Sequence, residues 1–220
     1  MTKKSALEQF HKESISAAAG RLFLQYGIEK TTMDDIAREA EYSKATLYAY
    51  FKNKDDIFHY VVLKAMELLH EKIKKVLTDH NDAIASYYAM CDILVEYSDR
   101  YPLYFESMLE TIAADAVSRK NSATLEQVYQ VGELLNQDVA VLIQQGIREE
   151  VFRHDLPDIP TGLVHWSALS GMISLAAKKQ DYISGQLNMS RQDFLCFGFQ
   201  MMLRSVIRPG LEIPDMRAGS

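Results

Sequence analysis

Two cysteines, one tryptophan and five prolines in 220 residues are low counts, and each shortage narrows what the chain can be. Cys91 and Cys196 lie far apart, inside apolar stretches of helical spacing. They read as buried packing residues, not as a disulfide or a metal pair. The six histidines show no ligand spacing on any helix, so no metal and no cofactor is expected. His165, beside Trp166, reads as a hydrogen-bonded core histidine. No apolar run is long enough to span a membrane, and the polar start MTKKSALEQF carries no cleavable signal pattern. The expectation is a cytoplasmic protein with no membrane association. A phosphate-cradling glycine loop, a nucleophile elbow and paired carboxylates in a convincing context are all missing, so an enzyme is not expected.

What is present is an ordinary globular composition, 48% hydrophobic and 25% charged. This length can form one sizeable core or two small ones. The net charge of −6 argues against a whole-surface nucleic-acid binder. The charge is uneven, however. Residues 1–54 carry nine Lys+Arg against seven Asp+Glu, and the rest carry fifteen against twenty-three. A locally basic head on an acidic body can bind DNA through the head, while the body discourages non-specific sticking.

Hydrophobic periodicity predicts an all-α fold of about nine helices and no strands. The first spans about Ser5 to Tyr26, with Ile15, Ala18, Ala19, Leu22, Phe23 and Tyr26 on one stripe and Gly27 as its stop. A fourth helix, about Lys54 to Leu77, has neither Gly nor Pro and is long enough to act as a rod. Asn81-Asp82 caps the fifth, which ends near Tyr101-Pro102. Pro102 suits the first turn of a sixth, reaching about Ser118. The seventh runs from Asn121-Ser122 to about Glu150. A Pro-rich break at His154–Pro160 precedes the eighth, Thr161 to Lys179. Ser184–Ser190 reads as a loop, and the ninth helix runs from Arg191 to Ile207.

Thr31 to Lys54, TTMDDIAREAEYSKATLYAYFKNK, is the most informative stretch. It reads as two short helices joined by a tight turn. Thr31 or Thr32 can cap the first, and Asp34 and Asp35 follow in its positively polarised first turn. Ile36, Ala37 and Ala40 form its apolar stripe. Glu41, Tyr42 and Ser43 make the break, and Ser43 can cap the second helix, Lys44 to Phe51. Leu47 and Phe51, four residues apart, bury one face. Lys44, Thr46, Tyr48 and Tyr50 occupy the other, which is free to enter a DNA major groove.

From about Phe10 to Tyr60 the chain resembles the DNA-binding domain of the TetR family of bacterial transcriptional regulators. The resemblance rests on Ala18, Leu22, Phe23 and Tyr26-Gly27, then on Thr31-Thr32, Ile36-Ala37 and Ala40. It continues through Ser43-Lys44-Ala45-Thr46-Leu47-Tyr48, Tyr50-Phe51 and Lys52-Asn53-Lys54-Asp55. Two positions depart from the family pattern: Glu41 stands where Gly is usual in the turn, and Tyr42 where a small aliphatic is usual. A non-Gly residue at positive φ costs on the order of 1 kcal/mol. The Tyr42 ring either packs between the two helices or lies at the DNA interface.

The resemblance implies a helix-turn-helix DNA-binding domain over 1–54 and a ligand-binding and dimerisation domain over 55–220. Thr31, Thr32, Tyr42, Lys44, Ala45, Thr46, Tyr48, Tyr50 and Lys54 are the expected DNA contacts. Lys54 and the threonines would meet phosphate, and the start of the second short helix would meet base edges. Tyr48 and Tyr50 could reach either.

In the body, Tyr87, Cys91, Tyr97, Tyr101, Tyr104, Phe105, Met108, Trp166 and Met172 are the expected lining of a pocket for a small hydrophobic or aromatic ligand. The resemblance adds that such regulators usually release DNA when a small molecule enters this region. Glu96, Asp99, Glu106 and Glu110 could draw in a cationic lipophile, although a solvated helix face explains them better. Leu169, Ile173, Phe194, Phe197, Gly198, Met201 and Met202 are the expected homodimer interface, two helices from each chain. The resulting reading is a repressor on a palindromic double-stranded operator. The competing reading is a DNA-bound scaffold on the same fold with no ligand switch.

Overall fold

The computed structural model describes residues 3–110 and 116–213. Among these, eleven helices carry the chain: α1 (Lys3–Tyr26), α2 (Met33–Glu39), α3 (Lys44–Tyr50), α4 (Lys54–Asp79), α5 (Ala83–Arg100), α6 (Pro102–Glu110), α7 (Ala116–Asn121), α8 (Ala123–Arg148), α9 (Asp158–Lys178), α10 (Gln180–Gln186) and α11 (Arg191–Val206). The all-α class holds, and two more helices appear than periodicity predicted. The sixth expected helix, reaching Ser118, is instead α6 and α7, and residues 111–115 lie outside the described residues. The expected loop from Ser184 begins inside α10, whose buried side chain is Ile183. A seven-residue helix with one buried anchor is too short to show a period.

The Pro-rich break also ends sooner than expected, because α9 starts at Asp158 with Pro160 inside its first turn. Amides there have no intrahelical acceptor, so the missing N–H of a proline costs nothing. A single antiparallel bridge, Phe152 with Ile207, is the β pairing seen among the described residues.

The described residues form two compact units, one within Met1–Glu67 and Glu110–Gln130, the other within Leu68–Leu109 and Val131–Ser220. In the first, α1 buries Ile15, Ala18, Ala19, Leu22 and Phe23, as its spacing predicts, whereas Tyr26 at its final turn is exposed. Phe23 meets Phe58 edge-on at 5.8 Å, and Phe51 meets Tyr60 at 5.5 Å. The first turns of α4 thus close the core beneath α2 and α3. In the second unit α5, α9 and α11 pack together. Gly198 of α11 is the close-approach point, since a Cβ there would collide with the Met172 sulfur of α9.

Candidate nucleic-acid interface and ligand site

Both short helices of the head are fixed by caps. Thr32 Oγ1 accepts from the Asp35 amide at 3.2 Å, and the Asp35 carboxylate accepts from the Thr32 amide at 3.1 Å and its hydroxyl at 2.6 Å. This reciprocal box satisfies orphan amides at the start of α2. The Thr32 hydroxyl and amide, assisted by Arg38, hold the Asp35 carboxyl below its usual range. Ser43 caps α3 by accepting from the Thr46 amide at 3.0 Å.

Between these caps the chain turns through Glu41, whose φ is +59°. The Tyr42 amide donates to Ala37 O at 3.0 Å and the Glu41 amide to Arg38 O at 3.2 Å. These two bonds are those of a Schellman stop, which needs a left-handed residue and takes Gly most easily. Glu41 adopts that conformation without being glycine.

With the turn set, α3 is anchored by Leu47, 0% exposed, and its opposite side carries Lys44, Ala45 and the 51% exposed Tyr48. The Lys44 ammonium lies 2.9 Å from Asp34 on α2, a pairing that raises its pKa. Thr46 is half-buried, its hydroxyl 2.7 Å from that of Ser43.

The remaining candidates are committed inside the head. Thr31 is buried and its hydroxyl donates to Gly27 O at 2.9 Å. Lys54 donates to Ile28 O at 2.6 Å and Glu29 O at 3.4 Å, closing the loop after α1. Tyr42 lies against α1, its hydroxyl 2.7 Å from His11 Nδ1, and Tyr50 stacks at 5.3 Å on the same imidazole. Sequence reasoning passed over His11, which shapes this surface, and read Asp34 only as a first-turn acid of α2, not as the partner of Lys44. His11 stands four residues before Ile15, so the apolar stripe of α1, extended back one turn, would have marked it.

In the second unit the expected pocket residues divide. Tyr97, Tyr101, Tyr104, Phe105 and Trp166 form one cluster. Its ring centroids are 5.2 Å apart for Tyr97–Tyr101, 6.4 Å for Tyr97–Phe105 and Tyr101–Tyr104, and 6.0 Å for Phe105–Trp166. Met108, on the same helix as Phe105, is buried. Tyr87 and Cys91 sit apart from this cluster, where the Tyr87 hydroxyl donates to Phe199 O of α11 at 2.9 Å. Burial pushes the Cys91 thiol far up, so it stays protonated and inert. Met172 fills the space left by Gly198. His165 has the core role expected of it, with its ring nitrogens 3.0 Å from Thr161 O and 3.2 Å from Met202 O.

Of the expected interface residues, Leu169, Ile173 and Gly198 are buried within their own chain, and Phe194 and Met202 are half-buried. Phe197 and Met201, one turn apart on α11, are 55% and 54% exposed. Val164 and Leu175 on α9 are exposed as well.

A capped pair of short helices with one anchored and one open face is the architecture of helix-turn-helix DNA-binding proteins. Residues 15–61 match the model of the bacterial regulatory proteins, tetR family, so this segment is similar to the helix-turn-helix head of that family. An HTH-type transcriptional regulator of Staphylococcus aureus (strain MRSA252) is 27% identical over 112 residues, 51% of this chain and 57% of the relative. The chain thus matches a little over half the length of that relative.

The fatty acid degradation regulator FadR from Bacillus halodurans has a similar fold, with a TM-score of 0.67 at 14% identity over 93% of this chain and 97% of that one. SmeT, the repressor of the Stenotrophomonas maltophilia multidrug efflux pump SmeDEF, gives 0.66 at 16% identity over 92% and 93%. SmeT is also known as a complex with triclosan. Among the described residues, no helix is long and apolar enough to cross a membrane, and no cluster of metal-ligating side chains occurs.

Proposed function

We propose that the chain is a homodimeric transcriptional repressor that binds a palindromic operator and releases it when a small hydrophobic or aromatic molecule binds the body. The observation that carries this reading is α3. Leu47 and two caps hold it, and of its outer face Lys44, Ala45 and Tyr48 are exposed and Thr46 is half-buried. Thr32 and the start of α2 position the head against phosphate. Lys54, Thr31, Tyr42 and Tyr50 act one step back, holding the surface that reads DNA.

One seven-residue helix reads few bases, so a two-fold pair is needed. The exposed stripes of Phe197 and Met201 on α11 and of Val164 and Leu175 on α9 supply apolar surface for it. The ligand reading is supported by the aromatic cluster around Tyr97 and Phe105, and by the likeness to SmeT, a repressor that takes triclosan. The release is a population shift. Ligand favours a head spacing that no longer fits successive major grooves, and α4, continuous for 26 residues, carries the change. A tenfold loss of operator affinity requires about 1.4 kcal/mol of differential ligand binding.

A promoter reporter tests the function. With a selected binding site placed over the promoter, the wild-type chain lowers output and Tyr48→Ala does not. Increased output would make the chain an activator, and unchanged output would sink the transcriptional reading.

A further inference from the structure

The aromatic cluster of the body contains a polar group that nothing in the fold explains. Tyr97 is only 2% exposed, and its hydroxyl has no hydrogen-bond partner among the described residues. A buried hydroxyl left unpaired costs on the order of 1–3 kcal/mol, so such a group in a folded protein points to a missing partner. Another phenol of α5 shows what a satisfied one looks like, because the Tyr87 hydroxyl, ten residues earlier, donates to Phe199 O at 2.9 Å. Around Tyr97 the neighbouring rings are Tyr101 at 5.2 Å and Phe105 at 6.4 Å, and Phe105 leads on to Trp166 at 6.0 Å. Tyr101 and Trp166 are half-buried, so the cluster is not sealed from solvent on every side.

We infer that the ligand of the body is a neutral, flat aromatic molecule bearing one hydrogen-bond acceptor, and that the Tyr97 hydroxyl donates to that acceptor. The inference rests on the ligand reading proposed above and names the chemistry that selects the ligand. Rings offer the molecule stacking and edge contacts. The phenol supplies the one directional contact, which is how a mostly apolar site gains specificity. Burial pushes the Tyr97 pKa upward and raises that of Tyr104 to about 12, so both phenols remain neutral donors.

A cationic ligand fits less well, because the nearby carboxylates are already paired. Glu96 holds Lys72 at 2.9 Å, Asp99 holds Arg191 at 2.7 Å and Glu106 holds Lys178 at 2.6 Å. The Arg100 guanidinium lies over the Tyr101 ring, 5.6 Å from its centroid, but it is exposed, where solvent screens its attraction for an anion.

The single tryptophan of the chain stands in this cluster, so its emission reports occupancy. Two probes of equal shape separate the possibilities: 2-acetylnaphthalene, a flat ketone, and 2-isopropenylnaphthalene, in which a CH2 replaces the oxygen. Titrated into the protein, the ketone is expected to bind about tenfold more tightly than the hydrocarbon, the effect of about 1.4 kcal/mol. In Tyr97→Phe that ratio falls to about one while the hydrocarbon affinity is kept, and Tyr104→Phe retains the ratio. Equal binding of both probes by the wild type, or an unchanged ratio in Tyr97→Phe, would overturn the inference and leave the ligand reading standing. No response of Trp166 to either probe would overturn both.

Discussion

The Nδ1 atom of His11 lies 2.7 Å from the Tyr42 hydroxyl, tying the first helix of the head to the turn of its helix-turn-helix. The same imidazole stands 5.3 Å from the Tyr50 ring, so one side chain of α1 braces both the turn before α3 and its last residue. Tyr42, where the resembling family has a small aliphatic, is accommodated because α1 offers it a partner.

Removing that partner is expected to loosen the recognition helix. His11→Ala and Tyr42→Phe should each lower operator affinity about fivefold, which corresponds to a hydrogen bond of about 1 kcal/mol. The double variant should be no worse than either single one, and His11→Asn, which keeps a polar nitrogen near Nδ1, should recover most of the loss. Fluorescence polarisation on a labelled operator provides the cycle, and additive losses would show that the two side chains act separately.

Glu41→Gly is expected to stabilise the protein. Glu41 holds φ at +59° in the Schellman stop of α2, a conformation that costs an L side chain about 1 kcal/mol. Part of the gain is offset by the greater freedom of glycine in the unfolded chain. The midpoint of urea unfolding should still move upward, and a lower midpoint would mean that the Glu41 side chain contributes contacts that outweigh the backbone strain.

Much of the head was legible in the sequence for the same local reasons. Caps and the Leu47–Phe51 pair follow from residue type and spacing within a few positions, whereas the positive φ at Glu41 was suggested only by the resemblance, which has Gly there. The interior roles of Thr31, Lys54 and Tyr42 were not, because their partners Gly27, Ile28 and His11 come from other segments of the fold. In the body, aromatic spacing located the cluster on α5 and α6. It could not separate Tyr87, whose hydroxyl finds Phe199 O more than a hundred residues away, from Tyr97, whose hydroxyl has no partner among the described residues. Periodicity likewise placed Gly198 and Phe197 on one helix without telling which faces Met172 and which faces outward.

Tyr48 and Lys54 are expected to fail in different ways. Tyr48 is exposed and anchors nothing in the head, so Tyr48→Ala should reduce operator affinity about tenfold with little change in unfolding midpoint. Lys54 secures two backbone carbonyls, so Lys54→Ala should lower stability by about 1 kcal/mol and weaken DNA binding only in consequence. Thermal unfolding measured beside polarisation separates them. A stable Lys54→Ala with lost binding would assign the ammonium to phosphate directly.

His59 of α4 should make the head sensitive to mild acid. Burial lowers its pKa from the ordinary 6.5, against the opposing influence of Asp55 and Asp56. Above about pH 6.5 the imidazole is neutral folded and unfolded, and its environment costs no stability. As pH falls below that value the unfolded chain takes up a proton that the folded one resists, and stability declines. The unfolding midpoint should therefore be lower at about pH 5.5 than at about pH 7.5, and His59→Gln should flatten the difference. An unchanged slope in that variant would assign the effect to other groups.

Phe197→Glu is the appropriate probe of self-association, because Phe197 is exposed whereas the neighbouring Gly198 is filled by Met172. The variant should sediment as a folded monomer and bind operator weakly. A normal dimer would take this face of α11 out of the interface.

Selection of bound duplexes from a random DNA library, at near-physiological salt, tests the central claim most directly. A two-fold pair of anchored α3 helices predicts enrichment of a palindrome whose half-sites lie about one helical turn apart or a multiple of it. Salt-sensitive binding with no enriched sequence would contradict the account, since the head would then hold DNA without reading it.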